Sequence, residues 1–324
     1  MSPDPWTEIV APLVLGQDGI ATAVQLRARG VSPELLRGWI CSGRVVRLRR
    51  NVLVEGDLWR AAPPWDRHLI RARGVMLERG HRAEKSGAGA ASLALSHHSA
   101  LAVMGLSIHG VDDLVHVVSI GAGKSRRRGD LVRHAAVDEA RVTGAFGLPV
   151  VMPSIACVQV AAAFGVEAGL VAADSALRLG RCARDDLEAL RGWAWLGRGR
   201  PAASVVIDRA DARHESAGES RTAWILHRLG YEQVRPQVDI LTRDGTWVAR
   251  VDFLMEGSVV VEFDGMLKYE RPADLAAEKL REDRLRALGY EVVRLTWADL
   301  ARPGVVRAKV EAALQRARSR RRAG

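Results

Sequence analysis

The sequence predicts an α/β protein of several domains, and three observations carry that expectation. The chain has 324 residues, more than one hydrophobic core usually organises. Its apolar content of 48% is enough to bury genuine cores. Its apolar periodicity also changes along the chain: helix-spaced over 1–60, mixed over 61–200, and in an α-β-β-β-α-β-α order from about 205 onward. Three domains are therefore expected, at 1–60, 61–200 and 205–324. The stretch LGRGRPAASVVI at 196–207, rich in glycine, proline and small residues, reads as the linker before the third.

The formal net charge is +10, which favours a polyanionic partner, nucleic acid being the commonest. Cys41, Cys157 and Cys182 are odd in number and widely spaced; they suit a reducing compartment and form no metal pattern. The N-terminal MSPDPWTEIV carries two prolines and two acids before its short apolar run, unlike a signal peptide. No stretch reaches about 18 uninterrupted apolar residues, so no membrane span is expected and the cytoplasm is the expected compartment.

Within 1–60, apolar residues at helical spacing run from Trp6 to Leu15. Thr22 is an N-cap for a short helix through Arg29 that Gly30 closes. Ser32-Pro33-Glu34 opens a second helix carrying Leu35, Leu36, Trp39 and Ile40 as an apolar stripe. RVVRLRRNVLVEGD then reads as two strands around a basic bend at Arg49-Arg50-Asn51. Three short helices followed by a basic hairpin is the order of a winged helix-turn-helix, in which one helix enters the major groove and the wing touches the backbone. Arg37, Arg44, Arg47, Arg49 and Arg50 would then contact phosphates. The bland alternative is a helical packing module with a solvated basic face. The segment GIATAVQLRARGVSPELLRGWICSGRVVRLRRNVLVEG resembles the winged-helix domain of AbiEi-type antitoxins, the transcriptional regulators of type IV toxin–antitoxin systems, over about 50 residues. The resemblance implies an operator or a cognate toxin as partner, and it extends more weakly into the middle region.

In that middle region APPWDRHLIRARGVMLERGHRAEKS reads as an amphipathic helix, SHHSALAVMGL as a capped helix, DDLVHVVSI as a strand, and PSIACVQVAAAFGVEAGLVAADSALRLG as two helices around a glycine break. GAGKS at 121–125 mimics the end of a phosphate loop, but Val118 stands where the motif needs glycine, and SRRRGD is a poor helix start. His97-His98, with His109 and His116 beyond, mimics a metal site. Adjacent helical residues point about 100° apart, so core or cap histidines are expected instead.

From about 205, a helix spans Glu215–Leu229 and ends at Gly230. Strands YEQVRPQVDI and WVARVDFLM flank an Asp244-Gly245 turn, and VVVEFDG forms a third strand. A helix through ADLAAEKLREDRLRALG, a strand YEVVRLTW and a basic helix ending in RARSRRR follow. Counting five residues outward from Gly257 reaches Asp252 on one side and Glu262 on the other, so the two carboxylates are cross-strand neighbours on one face. Like charges so placed destabilise unless neutralised, and a hard divalent ion, Mg²⁺ or Mn²⁺, suits oxygen donors. The bland alternative is a core ion pair, with Arg250, Arg294 or Lys279 as partner. The two readings separate on geometry. The carboxyl oxygens would lie within about 4–5 Å of a common point in a metal site, whereas an arginine would occupy that point in an ion pair.

The region 215–314 resembles the DUF559 family, related to very-short-patch-repair endonucleases, through Glu219, Arg250-Val251-Asp252-Phe253, Val261-Glu262-Phe263-Asp264-Gly265, Lys268-Tyr269, Asp283-Arg284, Leu288-Gly289-Tyr290 and Arg294-Leu295-Thr296-Trp297. The resemblance implies a PD-(D/E)xK restriction-endonuclease-like α-β-β-β-α-β core that hydrolyses phosphodiesters. In it Asp252 and Glu262 hold the metal, the Phe263 carbonyl and Asp264 are further ligands, and Glu219 binds a second metal or orients the water. The E-x-K lysine position holds Asp264, and Lys268 would reach back to do the lysine's work. Two functions follow: a DNA-binding, metal-dependent endonuclease acting on duplex DNA, or an antitoxin-type regulator whose nuclease-like domain is not catalytic. An RNA nuclease is a third.

Overall fold

The computed structural model describes residues 6, 10, 17–86, 93–265 and 272–323. These residues are mixed α/β with three sheets, and the chain divides into two compact units, Met1–Val160 and Ala161–Gly324. The segment from Trp6 to Leu15, expected as a helix, lies outside the described residues apart from Trp6 and Val10.

In the first unit, strand β1 (Ile20–Thr22) leads into helix α1 (Ala23–Ala28). The Thr22 hydroxyl accepts from the Gln25 N–H while the Gln25 side chain accepts from the Thr22 N–H, a reciprocal cap that fixes the helix start. Helix α2 (Pro33–Cys41) starts at Ser32, whose hydroxyl accepts from Leu35 N–H, with Pro33 in its first turn. Strands β2 (Val45–Arg49) and β3 (Val52–Glu55) form the basic hairpin, and β1 joins its edge to give the order β1-β3-β2. Leu26, Leu36, Trp39, Val45 and Leu53 fill the core beneath. Helices α3 (Gly56–Ala61) and α4 (Pro64–Ser86) follow.

One strand was expected in the next stretch and six are found. Strand β4 (Leu93–Leu95), helix α5 (His97–Val103), and strands β5 (Val115–Ile120), β6 (Arg126–Arg128), β7 (Leu131–Val137), β8 (Val142–Ala145) and β9 (Leu148–Val151) build a mixed sheet of order β6-β7-β5-β4-β9-β8. Most of these strands are only three or four residues long, too short for an alternation to show. GAGKS leads into β6 and not into a helix, so the context a phosphate loop needs is missing here. Helix α6 (Pro153–Phe164) runs across the division between the units, and Gly165, at φ 96°, separates it from α7 (Val166–Arg178).

In the second unit, α8 (Arg184–Glu188) is followed by helix α9 (Arg200–Arg209). The stretch read as a linker is therefore largely helix. Gly199 and Pro201 start α9 without breaking it, and Ala203, Val206 and Ile207 give it a buried stripe. Helix α10 (Ala217–Arg228) precedes strands β10 (Val234–Leu241), β11 (Trp247–Met255) and β12 (Val259–Phe263). Helix α11 (Pro272–Ala287), strand β13 (Glu291–Leu295), and helices α12 (Trp297–Leu300) and α13 (Pro303–Ala323) complete the chain. The sheet order is β10-β11-β12-β13, antiparallel except for the parallel pair β12–β13. A parallel pair requires a crossover, and α11 supplies it. Alternation along the strands sends Phe253, Met255, Val259 and Val261 to one core with Ile225 and Leu226 of α10 and Val306 and Val310 of α13. Leu254 and Val260 go to another with Leu285 of α11. The basic C-terminus is not a loose tail. Arg316 and Arg320 pair with Glu291, and Arg318 pairs with Glu256, all on the folded α13. Among the described residues no helix is long and apolar enough to cross a membrane.

Candidate active site

The β11–β12 register pairs Phe253 with Val261, which sets Asp252 opposite Glu262 one step further along. Both carboxylates share the period-2 face of Leu254 and Val260, the face that α11 covers. One cleft is lined by Asp252, Glu262, Asp264, Arg281 and Arg294. Strand β12 stops at Phe263. Asp264 therefore stands one residue beyond the strand rather than within it, its N–H donating to the Leu295 carbonyl at 2.8 Å while its side chain still lines the cleft.

Asp252 accepts from the Phe263 N–H at 2.8 Å. Burial, with Glu219 and Glu262 nearby, pushes its carboxyl up to about 7 despite that bond. Glu262 is held by Arg281, whose Nη1 and Nη2 each donate to one of its oxygens at 2.7 Å, and Arg281 also binds Glu278. Arg281 was not among the partners expected. Arg250 bonds the Gln237 side chain instead, Arg294 pairs with Glu278 and Glu282, and Lys279 is exposed. The reason is helical phase: Arg281 lies one turn after Glu278, on the side of α11 that faces the sheet. Among the described residues, Asp252, Glu262 and Asp264 do not form a tight three-donor group; the one such group consists of histidines elsewhere. In the ion-free molecule an arginine thus stands on Glu262, as the ion-pair alternative expected, though it is Arg281 and not Arg250, Arg294 or Lys279; Asp252 has no such partner, and its carboxyl is raised mainly by burial.

Glu219 is buried at the start of α10, where it accepts from the Glu215 N–H at 2.9 Å, the Ser216 hydroxyl at 2.8 Å and Gln237 Nε2 at 2.8 Å. It completes a helix cap and, through Gln237, reaches β10. Gln237 itself has a left-handed φ of 52°, an uncommon state for a side-chain-bearing residue. Gln237 lies across β10–β11 from Asp252, between Pro236↔Phe253 and Val238↔Val251. Neither Gln237 nor Arg281 was singled out by sequence. Gln237 carries no chemical signature, and Arg281 is one of eight charged residues in one helix. Lys268 lies outside the described residues.

Arg281→Ala is expected to destabilise the ion-free protein by about 2 kcal/mol, because Glu262 then faces Asp252 without its cation. Adding Mg²⁺ should recover most of that loss in chemical denaturation. A loss that Mg²⁺ leaves untouched would mean that the carboxylates hold no ion.

The basic residues of the first unit divide. Arg37 is exposed and pairs with its helix neighbour Glu34. Arg44 lies 4.8 Å from the Trp6 ring centroid, and exposed Arg47 donates to the Arg50 carbonyl. Arg49 turns inward to Glu78 and Asp130, both at 3.5 Å, and does not belong to the open basic face.

No family model matches the chain. It is 30% identical over 207 residues to the uncharacterized proteins MT2308 and Rv2248 of Mycobacterium tuberculosis strains CDC 1551 / Oshkosh and ATCC 25618 / H37Rv. The match covers 63% of this chain and 75% of each relative.

Proposed function

This chain belongs to the family of the Mycobacterium tuberculosis proteins MT2308 and Rv2248, and we propose that it is a cytoplasmic DNA-binding protein with a divalent-metal-dependent endonuclease centre. One observation carries the reading. Asp252 and Glu262, opposite each other on adjacent strands, open with Asp264 into a single cleft that also holds Arg281 and Arg294. The helix–strand order α10-β10-β11-β12-α11-β13, with β12 and β13 parallel, supports a PD-(D/E)xK core. The order α1-α2-β2-β3, with β1 on the hairpin edge, supports a winged helix-turn-helix.

The donors are carboxylates only, the class that suits a hard ion, and an ion there would take the place of Arg281 on Glu262. Asp252, Glu262 and Asp264 would hold Mg²⁺ or Mn²⁺, which when bound lowers the pKa of a coordinated water and stabilises charge on the phosphate. Glu219 fixes the Gln237 side chain beside Asp252. Arg281, if an ion displaced it from Glu262, would present a planar donor fork suited to phosphate oxygens, while Arg294 is paired with Glu278 and Glu282. Lys268, three residues after Gly265 in the sequence, would do the work of the E-x-K lysine.

A second reading is favoured by one specific contact, the Arg281 fork on Glu262. If that ion pair is permanent, the domain is a binding module and the chain is an antitoxin-type regulator of an operator or a cognate toxin. Incubation with duplex, nicked, mismatched and single-stranded DNA, and with RNA, each with Mg²⁺ or Mn²⁺, separates the two. Cleavage of DNA supports the endonuclease, whereas inertness on every substrate with intact binding supports the regulator. Binding itself should be steeply salt-dependent. Arg37, Arg44, Arg47 and Arg50 as four phosphate contacts predict a slope of log K against log salt of about −3 to −4. A flat response between 50 and 200 mM salt, roughly the usual range, removes the phosphate contacts.

A further inference from the structure

The first unit contains a second constellation, built from nitrogen rather than oxygen. Strands β5 and β7 run parallel with His116 opposite Val132 and Val118 opposite His134. His116 and His134 therefore share a face two residues apart, and His116 Nδ1 lies 2.9 Å from His134 Nε2. His97, the first residue of α5, stacks on His134 with ring centroids 4.0 Å apart and lies 5.2 Å from His116. One ring nitrogen from each of the three falls within 4.8 Å of the others. We propose that His97, His116 and His134 bind a zinc-class divalent ion, with Asp112 as the positioning residue for His116.

The hydrogen bonds select the coordinating atoms. Both oxygens of Asp112 lie against His116 Nε2, at 3.1 and 3.2 Å. A carboxylate only accepts, so Nε2 carries the proton and Nδ1 keeps the lone pair that faces His134. A carboxylate behind a ligating imidazole is the usual way a protein orients such a ring. His97 Nδ1 is 3.0 Å from Ser96 Oγ, so Nε2 is the nitrogen that His97 would bring to the ion. In the ion-free molecule one proton bridges His116 Nδ1 and His134 Nε2. An ion takes its place when that proton moves to the other nitrogen of His134, with no net change in charge on the protein.

The distances are within reach of coordination. A tetrahedral ion with bonds of about 2.0–2.1 Å holds its nitrogens about 3.3 Å apart. The His116–His134 pair is already closer than that, whereas His97 and His134 are stacked nearly parallel at 4.0 Å, so one of those two rings must turn before their in-plane lone pairs meet on one ion. His97 is held in place at some conformational cost. Its φ is 50°, left-handed for a residue with a side chain, and its N–H donates to Gln159 Oε1 at 3.2 Å. His97 and His116 are buried, and burial disfavours the protonated form of all three rings, His134 being pushed down to about 4. An all-imidazole set selects Zn²⁺, Co²⁺, Ni²⁺ or Cu²⁺ and disfavours Mg²⁺, so this site is chemically separate from the carboxylate cleft. Three protein ligands leave a fourth position for water or an anion.

The test uses the full chain in the Asp252→Asn background, stripped with chelator and dialysed, and titrated calorimetrically with Zn²⁺. One ion per chain is expected, undisturbed by excess Mg²⁺. Co²⁺ should give the intense visible bands of a tetrahedral nitrogen site. His134→Gln should weaken Zn²⁺ binding at least 100-fold, and Asp112→Asn by roughly 10–100-fold. His98→Gln, the adjacent histidine outside the trio, should leave affinity unchanged. Zn²⁺ at about 100 times Kd should raise Tm by roughly 5–10 °C. Absence of tetrahedral Co²⁺ bands in the unsubstituted trio overturns the proposal without any variant having to fold. Zn²⁺ binding that survives His134→Gln overturns it equally and leaves a buried His–His–Asp hydrogen-bonded network.

Discussion

Asp252→Asn is expected to abolish metal-dependent cleavage and at the same time to stabilise the ion-free protein above neutral pH. Cleavage should fall by on the order of 10³-fold or more, because the substitution removes a ligand that the reaction needs. The stability gain comes from the environment of the carboxyl. Burial, together with Glu219 and Glu262, raises it to about 7 in the folded chain, against about 3.9 unfolded. The folded state therefore binds a proton more tightly than the unfolded state between those values. Ion-free stability should fall as pH rises from about 4 to 7, by up to about 4 kcal/mol, and stay low above. Asparagine keeps an oxygen for the Phe263 N–H and carries no charge, so the variant should lose that pH dependence. Denaturant midpoints with chelator at pH 5 and pH 8 test this, run beside a cleavage assay. A variant equally active, or less stable at pH 8 than the native chain, would mean that Asp252 is an ordinary core carboxylate. The opposite signs expected for stability and activity are the signature of charge held for function.

The constellation at the cleft was readable in part, and the boundary is physical. The five-and-five count around Gly257 located Asp252 opposite Glu262, because a two-strand register depends only on local spacing. The caps at Thr22 and Ser32 were equally readable, since a cap is a contact between residues three apart; the cap at Ser216 was not, and the helix was read from Glu215. What escaped was set by distance in sequence. Arg281 reaches Glu262 across 19 residues, and Gln237 reaches Glu219 across 18. A metal site at His97-His98, with His109 and His116, was set aside because adjacent helical residues diverge, and His134 was not considered. The partners of His97 come instead from β5 and from β7, a strand not anticipated at all. Glycine and proline at 196–201 suggested a linker where they begin helix α9, because both residues serve helix starts as well as breaks. Short strands and long-range donors are where a single sequence says least.

Gly218→Ala should disturb the same cleft from behind, without touching any charged residue. Gly218 lies in the first turn of α10, immediately before Glu219. A methyl group there would stand 2.0 Å from the Phe263 ring, far inside van der Waals contact. Phe263 cannot yield freely: its ring packs edge-on to Trp297 with centroids 4.6 Å apart, and its N–H is bonded to Asp252. Either the ring shifts and drags the end of β12, or α10 lifts and carries Glu219 away from Gln237. Overpacking of this kind costs about 1–3 kcal/mol. A displacement near 1 Å at a catalytic carboxylate lowers turnover by about 10²-fold. Phe263→Leu should remove the clash, so the double variant should recover stability relative to Gly218→Ala alone, with a coupling of about 0.5–3 kcal/mol in a double-mutant cycle. Additive losses would show that the helix start and the strand end are not in contact, and that only the backbone preference of Gly218 matters. Recovery of stability without recovery of cleavage would locate the function in the Phe263 N–H bond to Asp252, which any smaller side chain on a shifted strand would fail to restore.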